Sequence, residues 1–205
     1  MIAPSRRTLL LLGVAVLAVL ALGGAAWFWN AAEQGRIMAA YADVMVRVGA
    51  AQGATATPEV RAAAARDLEA ILARHPSSAA APLAAHQLGA LRYDAGQYGA
   101  ARAAYEVALA RGARGTLRTL AQAGVGQTWE AERDWAKAIE AYRVALVPLG
   151  PKDFYYESLL VDLARAQELA GQKAEAVKTY QRILKELPQA RRAEQIRARL
   201  MALGG

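Results

Sequence analysis

The pattern of apolar and polar positions divides the chain in two. Leu9 to Trp29 is an uncharged apolar run of 21 residues, and beyond it short apolar stripes alternate with charged faces. One stripe recurs. Residues 98–109 read Tyr-Gly-Ala-Ala-Arg-Ala-Ala-Tyr-Glu-Val-Ala-Leu, which sets Ala101, Tyr105 and the pair Ala108 and Leu109 on one helical face. The skeleton returns as Ala138, Tyr142, Ala145 and Leu146, and again as Ala176, Tyr180, Ile183 and Leu184. A weaker copy lies upstream at Ala64, Leu68, Ile71 and Leu72, with Leu68 where the later copies carry tyrosine. The closing positions Pro76, Ala113, Gly150 and Pro188 are 37, 37 and 38 residues apart. A fixed period of this length predicts an all-α array of stacked helical hairpins, an architecture that serves binding more often than catalysis.

The partner helix of each stripe is also visible. Leu83, Leu88, Leu91 and Tyr93 lead to a turn at Ala95-Gly96-Gln97; Leu120, Val125 and Trp129 lead to one near Arg133 and Asp134; Leu159, Leu163 and Leu169 lead to Ala170-Gly171-Gln172. Residues 36–48 read as an amphipathic helix opening the first hairpin, and Thr57 before Pro58 is an N-cap candidate. The expected hairpins are 36–76, 80–113, 117–150 and 154–188, within a solenoid spanning 30–205. At 189–203, Ala193, Ile196 and Leu200 lie among Arg191, Arg192, Arg197 and Arg199, the pattern of a helix that covers the last apolar face. That capping role is preferred to RNA or membrane binding by the arginines.

The apolar run changes the picture of where the array sits. At about 1.5 Å per residue it is roughly 30 Å long, the thickness of a bilayer core. Gly23-Gly24-Ala25-Ala26 offers small residues for a signal-peptidase site, so cleavage stays open. The length of the run and the Trp27-Phe28-Trp29 cluster favour an uncleaved transmembrane signal-anchor over 8–29, with Trp27 and Trp29 at one interface. Arg6 and Arg7 lie at the other, in a cytoplasmic segment 1–7. Beyond the span, Arg36 and Arg47 are interleaved with Glu33 and Asp43, so the charge bias places the C-terminal part on the exported side. The expected location is the bacterial cytoplasmic (inner) membrane, single-pass, with a periplasmic array.

Composition adds exclusions. The chain has no cysteine, which removes disulfides, thiolate metal sites and lipidation at an N-terminal cysteine. Its net charge of +7 suits an acidic partner or an anionic membrane surface, and an exported domain would not meet nucleic acid. The plainest reading of that charge is a solvated surface.

The residues Leu88, Gly89, Gly96, Tyr98, Ala101, Tyr105, Ala108 and Leu109 resemble the tetratricopeptide repeat (TPR) pattern. Gly126, Trp129, Trp135, Ala138, Tyr142, Ala145 and Leu146 repeat it, as do Gly171, Ala176, Tyr180, Leu184 and Pro188. The family repeat is usually about 34 residues, so each unit here carries extra loop residues. The resemblance implies a right-handed α-solenoid of about four TPR-like hairpins with a C-terminal capping helix. With the N-terminal span, the chain is similar to the YfgM-like family of membrane-anchored periplasmic proteins, ancillary to the Sec translocon. That likeness implies binding of protein or extended polypeptide, with the translocon and periplasmic chaperones as partners. A second likeness is to scaffolds of envelope assembly such as the Tol-Pal or outer-membrane assembly repeat proteins.

Enzyme chemistry has little to stand on. His75 and His86 are too few for a zinc site, Gly124-Val-Gly126 lacks the third glycine of a nucleotide loop, and no Gly-x-Ser-x-Gly elbow occurs. No enzyme activity, cofactor or metal is expected. His75 before Pro76 reads as a helix-terminal group. By match to the family pattern, the inward face of the first helices presents Leu83, His86, Ala90 and Tyr93, then Leu120, Ala123, Gln127 and Glu130, then Ser158, Val161, Arg165 and Glu168. These residues are the candidate peptide groove. They lack the lysine and asparagine clamp that family members use for a chain-terminal carboxylate. Trp129, Trp135 and Tyr142 read as core, while Tyr155 and Tyr156 stay ambiguous between core and an aromatic patch.

Overall fold

The structure, a computed structural model, describes residues 6–53 and 55–204; for 6–19, 21 and 26 it describes the backbone alone. Among the described residues the chain forms nine helices and no strand: α1 (Arg6–Ala51), α2 (Pro58–Arg74), α3 (Ala81–Asp94), α4 (Tyr98–Ala110), α5 (Gly115–Ala131), α6 (Trp135–Leu146), α7 (Tyr156–Leu169), α8 (Lys173–Glu186) and α9 (Ala193–Leu203). Each helix packs on its sequence neighbours, so α1–α2, α3–α4, α5–α6 and α7–α8 stack as hairpins and α9 closes the end.

Local sequence explains the boundaries. The Val60 N–H donates to the Thr57 hydroxyl at 3.4 Å, and Pro58 fills the first turn of α2, where its missing N–H costs nothing. Asp134 caps α6 by accepting from the Lys137 N–H at 3.2 Å. Three hairpins turn in the same way. Gly96, Arg133 and Gly171 adopt φ of 72°, 62° and 74°, and the next residue's N–H reaches back to Arg92, Trp129 and Gln167 carbonyls at 2.9, 2.9 and 2.8 Å. That is a left-handed helix stop with a six-to-one hydrogen bond, a conformation glycine adopts freely and arginine does not.

The core follows the repeated stripe. Leu68, Ala101, Ala138, Tyr142 and Ala176 are fully buried, and Tyr105 and Tyr180 nearly so. Three glycines set how closely the helices approach, Gly89 and Gly124 against Tyr105 and Gly126 against Tyr142. A Cβ on Gly89 would lie 2.6 Å from the Tyr105 ring, and one on Gly126 would lie 2.6 Å from the Tyr142 ring. In the next hairpin Ala164, fully buried, stands at the corresponding place below Tyr180. At the C-terminal end Ile196 and Leu200 of α9 bury themselves in the cluster that contains Leu160, Ile183 and Tyr180.

The N-terminal part differs from the sequence expectation in one respect. The amphipathic helix read at 36–48 is not a separate element but the end of α1, which continues without interruption for 46 residues. No proline lies between Arg6 and Ala51, so nothing forces a stop. Tyr41, Val44, Val48 and Ala51 are buried against the array, whereas Trp27, Phe28 and Trp29 are 73%, 70% and 75% exposed. Arg6, Arg7 and most side chains of the expected span lie outside the described side chains. Among the described residues no helix is long and apolar enough to cross a membrane, and the span at 8–29 rests on sequence alone.

Candidate functional site

The first helices α3, α5 and α7 bring part of the sequence-read groove together. Tyr93 of α3, Gln127 and Glu130 of α5 and Arg165 of α7 line one cavity of about 350 Å³, joined by Trp135. Arg165 also borders a second cavity of about 390 Å³, together with Val161 of α7, Tyr180 of α8 and Ile196 of α9. The two openings share Arg165 and lie next to one another across α7. A further cavity of about 300 Å³, bordered by Pro58, Arg61 and Leu91, shares no residue with them.

The other groove residues fall in different surroundings. Leu83 is 43% exposed, and Ala90 and Leu120 are half-buried. Ala123 is buried and belongs to the core cluster around Tyr142, because α5 turns this position toward its hairpin partner. The Ser158 hydroxyl donates to the Tyr155 carbonyl at 3.0 Å. His86 stacks against Tyr105 with ring centroids 5.4 Å apart, and its Nδ1 has no hydrogen-bond partner. Burial pushes its imidazole below the ordinary value, favouring the neutral ring.

A charged network occupies the floor between α5 and α7. The Arg165 guanidinium donates to both Glu130 carboxylate oxygens, at 2.7 and 3.0 Å, and reaches Asp162 Oδ1 at 2.9 Å. The Tyr142 hydroxyl donates to Glu130 Oε2 at 2.7 Å. These bonds tie the third hairpin, α5–α6, to the fourth, α7–α8, and bidentate pairing gives Arg165 a fixed direction. The hydrogen bond to Glu130 raises the Arg165 pKa further, while burial raises that of Asp162 despite Arg165 beside it. Burial, reinforced by Glu130, raises the Tyr142 phenol well above its ordinary value. The motif recurs one period on: Tyr180 donates to Glu168 Oε1 at 2.6 Å, and Arg199 of α9 approaches the same oxygen at 3.7 Å. The capping helix thus supplies an arginine where a further hairpin would.

The first tyrosine departs from this pattern. Tyr93 stands twelve residues before Tyr105, at the position Glu130 and Glu168 hold in the later hairpins, and stacks on Tyr98 with centroids 5.4 Å apart. Burial pushes the Tyr105 phenol up to about 12. Glutamate at Tyr−12 is therefore a signal legible in the sequence, in Glu130 and Glu168, that the repeat skeleton alone passes over.

The aromatic residues split. Tyr142 and Tyr156 are buried at 0% and 2%. Tyr156 bonds Glu186 and Arg182, which resolves it as core, whereas Phe154 is 80% exposed and Tyr155 half-buried. Trp129 is not a fully enclosed core residue: it is half-buried between the Arg102 guanidinium, 3.4 Å from the ring centroid, and the Lys137 ammonium at 4.2 Å. Two stacked cations cover a ring that helix packing alone leaves open. Trp135 is half-buried and lines the groove. Arg192, Arg199 and Ile196 were not among the groove residues read from the sequence, because nothing local shows that the cap folds back beside α7. His75 ends α2, and its carbonyl accepts from the Tyr41 hydroxyl at 3.0 Å. Among the described residues no group of three His, Asp or Glu side chains is placed to hold a metal.

Comparison with known proteins agrees with this geometry at the level of fold. Residues 158–190 match the family model described as tetratricopeptide repeat. No curated protein matches the chain. Among solved structures, the nearly identical TPR-like repeats of a putative kinesin light chain from Podosopora anserina superpose with a TM-score of 0.56 at 16% identity, covering 83% of this chain and 95% of that one. A second crystal structure of those repeats gives the same TM-score and identity, covering 83% and 96%. The described chain is an all-α solenoid of TPR-like hairpins, and its fourth hairpin carries the tetratricopeptide sequence signature itself.

Proposed function

We propose that this protein is a membrane-tethered polypeptide-binding module at the outer face of the cytoplasmic membrane. The observation that carries the reading is the pair of adjoining cavities sharing Arg165 on the first-helix side of the array. A groove that mixes aromatic, aliphatic and a few fixed polar groups suits an extended chain. The tether is supported by the apolar run Leu9–Trp29 and by Trp27 to Trp29, which nothing in the array covers. A binder held at the membrane works at high effective concentration on chains emerging beside it and needs little intrinsic affinity. The Sec translocon and periplasmic chaperones are the partners that this placement and the YfgM-like resemblance favour.

Photo-crosslinking probes at Tyr93 and Gln127, in membranes engaged in export, test the reading. Probe adducts to exported polypeptide and to translocon subunits are expected. Adducts only to resident envelope proteins would replace this reading with an assembly scaffold. In the same membranes the full chain should resist alkaline extraction and a chain beginning at residue 30 should be released. Release of both would remove the tether.

A further inference from the structure

The cavity of about 390 Å³ between α7, α8 and α9 combines an apolar floor with a basic rim. Val161, Ile196 and the Tyr180 ring form the floor, and Arg165, Arg192 and Arg199 stand around it. These arginines are not equivalent. Arg165 is committed to Glu130 and Asp162 at 2.7 to 3.0 Å. Arg199 lies 3.7 Å from Glu168, beyond hydrogen-bonding distance, and that carboxylate oxygen already accepts from Tyr180 at 2.6 Å. The Arg192 side chain forms no ion pair among the described residues; its backbone N–H donates to Glu157 at 3.1 Å, and Asp162, which it influences at longer range, is bonded to Arg165. Two guanidiniums with unused donors therefore face an apolar surface large enough for a branched aliphatic side chain.

We propose that this cavity takes an acidic side chain of a bound polypeptide together with the aliphatic residue beside it. The groove then selects extended segments in which Asp or Glu adjoins Leu, Ile or Val. Planar guanidiniums pair with carboxylates in a directional way that a neutral amide does not match, and the floor accounts for the neighbouring apolar residue. A peptide fits better than an isolated anion, because the floor gives an anion nothing and the adjoining cavity, with Tyr93 and Trp135, extends the surface along a chain. The inference rests on the reading of the groove as a polypeptide site.

The test uses the full chain in detergent micelles and two fluorescein-labelled nonapeptides, Gly-Ser-Gly-Leu-Glu-Leu-Gly-Ser-Gly and its counterpart with Gln for Glu, followed by anisotropy. The Glu peptide should bind roughly fivefold more tightly at low salt, and the gap should close as salt is raised. Arg192→Gln combined with Arg199→Gln should abolish the preference while leaving the Gln peptide's affinity unchanged. Ala198→Trp, on an exposed position lining the cavity, should weaken both peptides. None of these variants touches buried Ile196 or Leu200, and a thermal melt checks that α9 stays docked. Should the double variant undock it, the peptide pair and salt series on the parent chain still decide. Equal binding of the two peptides by the parent chain overturns the acidic selection and leaves polypeptide binding standing. No binding of either peptide overturns both.

Discussion

At the scale of single residues, the array is organised by a tyrosine that needs a hole opposite it. Tyr142 fills the space left by the missing side chain at Gly126, and its hydroxyl then reaches Glu130. Gly126→Ala would place a methyl 2.6 Å from a ring that is wholly buried and cannot give way. Overpacking costs typically ~1–3 kcal/mol, offset in part by the better helix propensity of alanine. Urea titration should therefore show a net loss of about 1–2 kcal/mol, while Gly99→Ala, whose Cβ would meet nothing nearer than 3.9 Å, should be neutral or slightly stabilising. A stability for Gly126→Ala equal to the parent's would mean that the close approach does not hold the helices. Asp162 makes a second residue-scale prediction. Burial holds its carboxyl above the ordinary value of 3.8, outweighing Arg165. A carboxyl whose pKa rises on folding costs stability when ionised, and the cost disappears as pH falls below its unfolded value. Asp162→Asn should melt higher than the parent near pH 7, with the difference closing toward about pH 4. A lower melting point at pH 7 would show that the ion pair with Arg165 outweighs burial.

At the scale of elements, the hairpin turn shows what sequence reading sees and what it passes over. Gly96 and Gly171 mark two turns openly, because glycine is the residue a left-handed helix stop asks for. The middle turn has Arg133 at the same place and in the same conformation, with φ of 62°, so its identity is hidden by composition. A non-glycine residue there costs on the order of 1 kcal/mol. Arg133→Gly should raise stability by no more than about 0.5 kcal/mol in the same titration, after the entropy cost of glycine in the unfolded chain. A loss would indicate that the Arg133 side chain contributes more than its backbone strain removes. The opposite error occurs in α1. Its amphipathic end was legible from Tyr41, Val44 and Val48, but nothing local shows whether a helix continues into the preceding apolar run, and the structure joins them.

At the scale of the molecule, the repeat period was enough to read an all-α hairpin solenoid, because a stripe every 37 or 38 residues can be buried only by stacking like on like. The candidate site was less legible. Tyr93, Gln127, Glu130, Val161 and Arg165 were read from the family pattern, and the structure gathers them around two cavities that meet at Arg165. Ala123, read with them, is core, since a shift of one position around a helix separates the groove from the hairpin interface. Trp129, read as core, packs against the hydrophobic core and is covered on its open side by Arg102 and Lys137, a contact across 27 residues for Arg102 that no local window contains. The sequence by itself determined the repeated hairpin helices from α2 onward and their stacking order. Only the tertiary structure decided which polar groups are used up internally and which remain free for a partner. Arg165 and Arg199 look alike along the chain, but one is locked by two carboxylates and the other stands beyond hydrogen-bonding reach of its acid, because pairing depends on how adjacent hairpins and the cap are set against each other.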